Sequence, residues 1–324
     1  MTATGPSTLG VRTVGAVGPT TVAGTPAPTR RKAALLGRSP QDTAASAWNY
    51  VFLVLAIIVS AFPVYWMFVV ATGTDADLAR PAYEGLIPGD NFLHNVGVVL
   101  GNISEQGRSY ENARFADSFV NSIIVTVIVT ASLLFFCSLA GFAFAKLRFK
   151  GRDALMVVVI LTLTIPNQLG IVALYIIIAK LGWQGELISV IVPGLVSAFG
   201  VFYMRQFIQD SVPDELIESA RVDGASTFRV YWNIVLPIIR PALGVLGLLT
   251  AVGTWNEFQW ALIALGSSDN KTIGVALSNL ASGNYVKYRI VLAGSFLATV
   301  PLILLLFVAG KQIVRGIMEG AVKA

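Results

Sequence analysis

Six runs of about twenty mainly apolar residues divide the chain, near 49–72, 119–145, 154–179, 187–208, 238–265 and 290–310. A run of about that length is what a helix needs to cross the hydrocarbon of a bilayer. Inside hydrocarbon every backbone N–H and C=O must be bonded within its own segment. Stretches such as Leu155–Ile165 and Leu302–Ala309 are therefore expected to be helical. The expected fold is an all-α membrane protein with six transmembrane helices. Composition agrees: of 324 residues, 55% are hydrophobic and only 13% charged, against roughly a quarter charged in a soluble domain. The mean hydropathy is +0.71.

The few charges set the topology. Basic residues gather in the N-terminal tail (Arg12, Arg30, Arg31, Lys32, Arg38), between the second and third runs (Lys146, Arg148, Lys150, Arg152), in the 205–240 segment and after 310. By the positive-inside rule these segments and both termini face the cytoplasm. The loop 73–118, with Asp75, Asp77, Glu84, Asp90, Glu105, Glu111 and Asp117, then lies outside. A formal charge of +5 spread in this way does not describe a nucleic-acid binder. One Cys and one His, Cys137 and His94, exclude an internal disulfide and a zinc cluster built from this chain alone. Residues 1–47, rich in Thr, Pro, Gly and Ala, are expected to be a disordered cytoplasmic tail. Arg30-Arg31 is not read as an export signal, because no small-residue cleavage pattern follows the next apolar run.

The segment between the fourth and fifth runs, Val212–Pro241, carries more pattern than a connector needs. Pro213 suits the start of a helix, and Asp214 and Glu215 suit its positive end, so a short helix is expected to about Val222. Gly224 supplies a turn that a side chain would resist. Ser226 or Thr227 then caps a second arm in which Phe228, Tyr231, Trp232 and Val235 recur at helical spacing on one side. Pro237 marks the return to the membrane.

Within this loop, Glu218-Ser219-Ala220, three residues, Gly224, nine residues and Ile234-Val235-Leu236-Pro237 follow one another. That spacing resembles the EAA signature of the membrane subunits of ATP-binding-cassette importers, with Ser219 standing where a second Ala is usual. Asp223-Gly224-Ala225 is similar to the carbohydrate-uptake branch, and the chain looks like its maltose-type second permease. Further blocks agree in order and spacing: Phe62-Pro63 to Thr72, Asn121-Ser122, Gly141 to Lys146, Ile165 to Gln168, Trp255 to Phe258, and the tail from Val314. The resemblance spans about residues 50–324.

The resemblance implies a coupling device: a cytoplasmic helix seated in a cleft of a separate ATPase, whose movement drives the membrane helices between outward- and inward-facing states. Glu218, Ser219, Ala220, Asp223, Gly224 and Ala225 would form it. It also implies four partners: a homologous second permease, two copies of the ATPase, and an extracytoplasmic solute-binding protein met by the outer loops, including 88–100 and 271–288. The chain itself is expected to hold no cofactor and to hydrolyse no ATP, since ATP-Mg would be bound by the ATPase alone. Its nearest phosphate-loop fragment, Gly266–Thr272, has Asn270 where the second Gly is needed.

Polar groups inside apolar runs are the candidates for a solute path. Glu257, beside Trp255, Asn256 and Trp260, could bond sugar hydroxyls while an indole stacks on ring C–H groups. It could equally bridge neighbouring helices, or the companion permease. In the third run Pro166 is expected to kink the helix and free the Thr162 carbonyl beside Asn167 and Gln168. A gated path and interhelical bonding both fit those amides. Asn121 reads as a cap or an interhelical bond before a ligand. Pro193 and Pro301 read as kinks. A proton-coupled carrier using Glu257 is the alternative function, and a channel or membrane scaffold a third, although neither explains the cytoplasmic loop.

Overall fold

The computed structural model describes residues 47–78, 86–104, 114–266, 268–282 and 286–322. The expected tail up to residue 46 and the acidic residues Glu84, Glu105 and Glu111 lie outside them. The chain divides into two units, 1–58 and 59–324. Of the first, residues 47–58 are described. They form the opening turns of α1 (Ala47–Thr72), with Trp48, Phe52 and Ile57 exposed.

In the second unit the chain continues through α2 (Asp75–Leu78), α3 (Phe92–Val99), α4 (Phe115–Lys146), α5 (Arg152–Thr164), α6 (Ile171–Lys180), α7 (Ile188–Gly194) and α8 (Ala198–Ser211). It then forms α9 (Asp214–Val222), α10 (Thr227–Val230), α11 (Leu236–Ile238), α12 (Arg240–Trp255), α13 (Gln259–Leu265), α14 (Ile273–Ala281) and α15 (Tyr288–Val322). No strand occurs among the described residues. Among the described residues four helical stretches are long and apolar enough to cross a membrane: Trp48–Thr72, Phe115–Lys146, Ile188–Ser211 and Tyr288–Val308. The number rises to six if each of two bent helix pairs is one span.

In the third run the kink expected at Pro166 is a full break between two helices, and in the fifth the expectation of one helix over 238–265 is corrected. In the third run α5 stops at Thr164, Asn167–Gly170 forms a 3-10 turn, and α6 leaves at 90°. Pro166, which has no N–H, is the physical reason for the break. The Thr162 carbonyl is not freed, since it accepts the Ile165 N–H at 3.4 Å. In the fifth run the helix does not reach 265. α12 ends at Trp255, and α13 is a separate helix beginning at Gln259. The arm 227–238 meets α12 at 78°, where Pro241 can give no N–H to the preceding turn.

The long helix α4 is the axis of the packing, with α8 and α12 as its principal neighbours. Gly141 permits the α4–α8 approach: a Cβ there would lie 2.7 Å from Met204 Cβ and 2.8 Å from the Arg205 backbone nitrogen. Cys137, fully buried, packs at the same crossing with its Sγ 3.6 Å from the Ser197 carbonyl. At the other end of the molecule Asn95, fully buried on α3, donates to the carbonyls of Ala71 (2.8 Å) and Gly73 (3.0 Å) and accepts from Arg289. Arg289 Nε also donates to Asp75 at 2.8 Å. The start of α15 is thereby fastened to α2 and α3. His94, beside this cluster in sequence, is exposed.

Candidate functional site

The 212–238 loop folds as two arms. Pro213 precedes α9, with Asp214 and Glu215 in its first turn. The arm ends where Gly224 takes φ +79°, and the Ala225 N–H returns to the Ala220 carbonyl at 2.9 Å. This hydrogen bond closes the turn, and the positive φ is the conformation that glycine adopts at little cost. Ser226 opens the second arm, its Oγ accepting the Arg229 N–H at 3.3 Å. Tyr231–Val235 is a π-turn, and α11 follows.

The π-turn separates residues that the spacing placed together. Tyr231 and Val235 are buried with Val230 and Ile239 against Leu133, Cys137 and Phe142 of α4 and against Met204 and Ile208 of α8. Phe228 and Trp232 instead stay about half exposed and stack on each other, centroids 6.1 Å apart. A turn with an i→i+5 bond holds one more residue than an α-turn, so the row of side chains that follows it is rotated. The first arm is similarly two-sided. Ile217 is buried, Ala220 and Ala225 are half-buried against the same core, and Glu218, Ser219, Asp223 and Gly224 are exposed. Leu216 and Val222 add exposed apolar area to the outer side.

Beyond this packing, two polar contacts tie the loop to α4, and local sequence pattern showed neither. Lys146, at the end of α4 with its side chain only 6% exposed, pairs with Asp214 at 2.7 Å. The hydrogen bond from Lys146, then its charge, and lastly the charge of Arg148 hold the Asp214 carboxyl below the usual carboxylate range. Deeper in, the hydroxyls of Ser138 and Tyr231 lie 2.7 Å apart, both buried. A basic residue closing an apolar run was the one available signal for Lys146; its partner is far away in sequence.

The path candidates do not form one cluster of side chains. Trp255 is buried, its indole N–H donating to the Ala298 carbonyl at 3.1 Å and its ring edge-on to Phe119. Asn121 donates to the Lys271 carbonyl at 3.0 Å. Asn256 and Glu257 are exposed at the break between α12 and α13, where Asn256 donates to the Val252 carbonyl and Glu257 accepts the Trp260 N–H at 2.8 Å. Glu257 thus lies in a helix break, a correction to its expected place within a continuous span. Gln168 is exposed on the 3-10 turn, and Asn167 is described by its backbone in the same turn. Trp260, named in the sequence beside Glu257, has a partner that the sequence did not show: its indole N–H donates at 3.0 Å to the Ser189 carbonyl. Pro193 leaves that carbonyl without its helical donor.

The family described as the binding-protein-dependent transport system inner membrane component matches residues 137–318, the stretch that holds the loop. The chain belongs to this family. Its relatives include the lactose transport system permease protein LacG of Rhizobium radiobacter, 32% identical, with 85% of this chain and 95% of LacG covered. The sn-glycerol-3-phosphate transport system permease protein UgpE of Shigella flexneri serotype 5b (strain 8401) is 30% identical, with 84% and 95% covered. AraQ of Bacillus subtilis (strain 168), an arabinooligosaccharides transport system permease protein, is 28% identical, with 89% and 100% covered. The resemblance to carbohydrate-importer permeases read from the sequence is borne out by these relatives. In fold, the permease matches a chain in the crystal structure of a bacterial ABC transporter involved in import of the acidic polysaccharide alginate. The TM-score is 0.69 at 23% identity, over 85% of this chain and 98% of that one. The permease is a multi-pass inner-membrane protein.

Proposed function

We propose that this permease is one of two membrane subunits of an ATP-driven importer that carries a sugar into the cytoplasm by alternating access. The carrying observation is the two-sidedness of the 212–238 loop: one side is built into the α4–α8 core, while the other offers Leu216, Val222, Phe228 and Trp232 around the exposed Glu218. Exposed apolar side chains beside a carboxylate suit a protein cleft. The relatives transport lactose, arabinooligosaccharides and sn-glycerol-3-phosphate by name, which supports a sugar or a similar polyol as the solute. Family membership favours this reading over proton-coupled carriage on Glu257.

On this reading the chain crosses the membrane six times with both termini in the cytoplasm, the bent α5–α6 pair counting as one span and α12, without the 227–238 arm, as another. Its partners are a second homologous permease, two ATPase subunits and an extracytoplasmic solute-binding protein. ATP-Mg binds to the ATPase, and the permease itself catalyses nothing and holds no cofactor. Glu218, Ser219, Asp223 and Gly224 face the ATPase, while Ala220 and Ala225 pack the loop onto its own subunit. Asn256 and Glu257 are the polar groups offered at a break in a membrane helix, the kind of place where transporters hold solutes; Asn121, Asn167, Gln168 and Trp255 are the other path candidates.

The test is Glu218→Lys in the assembled importer. Insertion into the membrane is expected to persist and ATP-dependent uptake to be lost; unchanged uptake overturns the reading. A binding screen of the partner solute-binding protein against mono- and disaccharides identifies the sugar.

A further inference from the structure

Helix α4 is hydrogen-bonded to a loop near each of its ends. Toward its C-terminal end, Ser138 and Tyr231 are each 1% exposed, and their hydroxyl oxygens are 2.7 Å apart. Ser138 has one proton, and its Oγ lies 2.6 Å from the Leu134 carbonyl of its own helix. With that proton committed, the Tyr231 O–H is the donor and Ser138 Oγ the acceptor. The Tyr231 ring also packs on Phe142, centroids 5.7 Å apart. Toward the N-terminal end, Ser122 Oγ accepts the Ile273 N–H at 2.8 Å, and Asn121 donates to the Lys271 carbonyl at 3.0 Å.

Between Ser122 and Ser138 the helix contains neither Pro nor Gly, so it has no sequence cause for a kink. At 1.5 Å per residue the two serines are about 24 Å apart along it. A stiff rod gripped near both ends moves both grips together.

We infer that Tyr231 and Ser138 are a positioning pair through which α4 carries displacement of the 212–238 loop to the backbone at 271–273. This rests on the coupling role proposed for that loop. Tyr231 touches neither solute nor nucleotide in this scheme. It keeps the second arm in register with α4, and the π-turn at 231–235 points its ring into the helix.

The test uses the assembled importer in proteoliposomes, with the ATPase subunits, the second permease and the solute-binding protein present. Ser282, exposed just past α14, is replaced by Cys and labelled with a membrane-impermeant maleimide, with and without ATP and vanadate. Cys137, the one native cysteine, is fully buried and serves as a silent background. In the Ser282→Cys parent, ATP and vanadate are expected to change the labelling rate. Adding Tyr231→Phe keeps the ring but removes the donor; ATP hydrolysis is expected to continue while the change in labelling is lost. Ser138→Ala is expected to do the same, Ser138→Thr to restore the response, and the double variant to be no worse than either single.

A full nucleotide-dependent response in Tyr231→Phe overturns the inference while leaving the coupling role standing. A parent that shows no ATP-dependent response removes the coupling role and this inference together, and that failure is seen before either hydroxyl is touched. If Tyr231→Phe does not assemble, the Ser138→Ala and Ser138→Thr pair makes the same comparison without altering an aromatic ring.

Discussion

Lys146 Nζ lies 2.7 Å from Asp214 Oδ1, joining the last residue of α4 to the first of α9. The ammonium is nearly sealed, with its side chain 6% exposed, whereas the carboxylate faces solvent. The asymmetry matters because a buried charge without its partner is costly, while a solvated one is not. Asp214→Asn is therefore expected to loosen α9 more than Lys146→Met, which removes the buried charge itself. Limited trypsin cleavage at Arg221 measures this: faster cutting in Asp214→Asn than in Lys146→Met is the expected order, and the reverse would show that the pair is ornamental. Because the Asp214 carboxyl is held below its usual range, the contact is fully present above about pH 4. It weakens as pH falls through the lowered value.

Gly141→Ala tests the closeness of α4 and α8. The added methyl would meet the Arg205 backbone nitrogen at 2.8 Å, and backbone in a packed helix pair cannot step aside as a side-chain tip can. Overpacking of this kind costs about 1–3 kcal/mol, visible as a lower midpoint of thermal unfolding in detergent. Gly253→Ala is the control, since a Cβ on Gly253 in α12 meets nothing within 4 Å; it is expected to hold or raise the midpoint. Since alanine is the better helix former, propensity alone would raise both midpoints, and a Gly141→Ala midpoint no lower than that of Gly253→Ala would mean that the crossing tolerates the methyl.

The parts legible in the sequence were those set by length and apolar content. α1, α4, the α7–α8 stretch and α15 fall close to their expected runs, and the α9-turn-α10 order follows from Pro213, Gly224 and Ser226. What stayed hidden depends on partners far along the chain or on departures from α geometry. Trp255-Asn256-Glu257-Phe258 reads equally as a polar island within one helix and as a gap between two. The outcome turns on whether Glu257 bonds the Trp260 N–H, as it does. The stripe Phe228, Tyr231, Trp232, Val235 obeys α spacing, but the chain inserts a π-turn there and buries only half of it. Asn121 was open to several roles because its partner, the Lys271 carbonyl, is 150 residues away.

Asn95→Leu tests the cluster at the other end. Leucine fills similar space but removes the donor to the Ala71 and Gly73 carbonyls and the acceptor for Arg289. Buried polar groups left unmade cost about 1–3 kcal/mol each, so a clear fall in thermal midpoint is expected, larger than for His94→Ala at the exposed neighbouring position. The cluster also carries an acid limit. The hydrogen bond from Arg289, followed by the charges of Arg289 and Lys287, lowers the Asp75 carboxyl. A lowered carboxyl stabilises the fold above its unfolded value of about 3.9, and the contribution disappears as pH falls through the lower folded-state value. Between pH 7 and 5 the midpoint should not respond to Asp75, and below about pH 4 the parent should lose more than Asp75→Asn does. Because the Asp75 side chain is 53% exposed, screening keeps this difference small.

Gly224 separates the shape of the loop from its surface. Its φ of +79° lies in the left-handed region, yet a Cβ there would meet nothing within 4 Å. Substitution on the isolated permease thus costs only the conformational preference, roughly 1–2 kcal/mol for a residue with a side chain and less for Asn, which enters that region more readily. If shape alone matters, uptake should fall in the order Gly, Asn, Ala, Val, following backbone preference. If the open space over Gly224 is where the ATPase closes on the loop, Asn and Ala should both abolish uptake, because either side chain occupies that space whatever its backbone preference. Co-purification of the ATPase with each variant decides between them: graded loss of uptake with the ATPase retained marks the turn, and joint loss of uptake and ATPase in every variant marks the seat. The proposed coupling role calls for the second outcome, since the exposed Glu218, Ser219 and Asp223 surround the same turn.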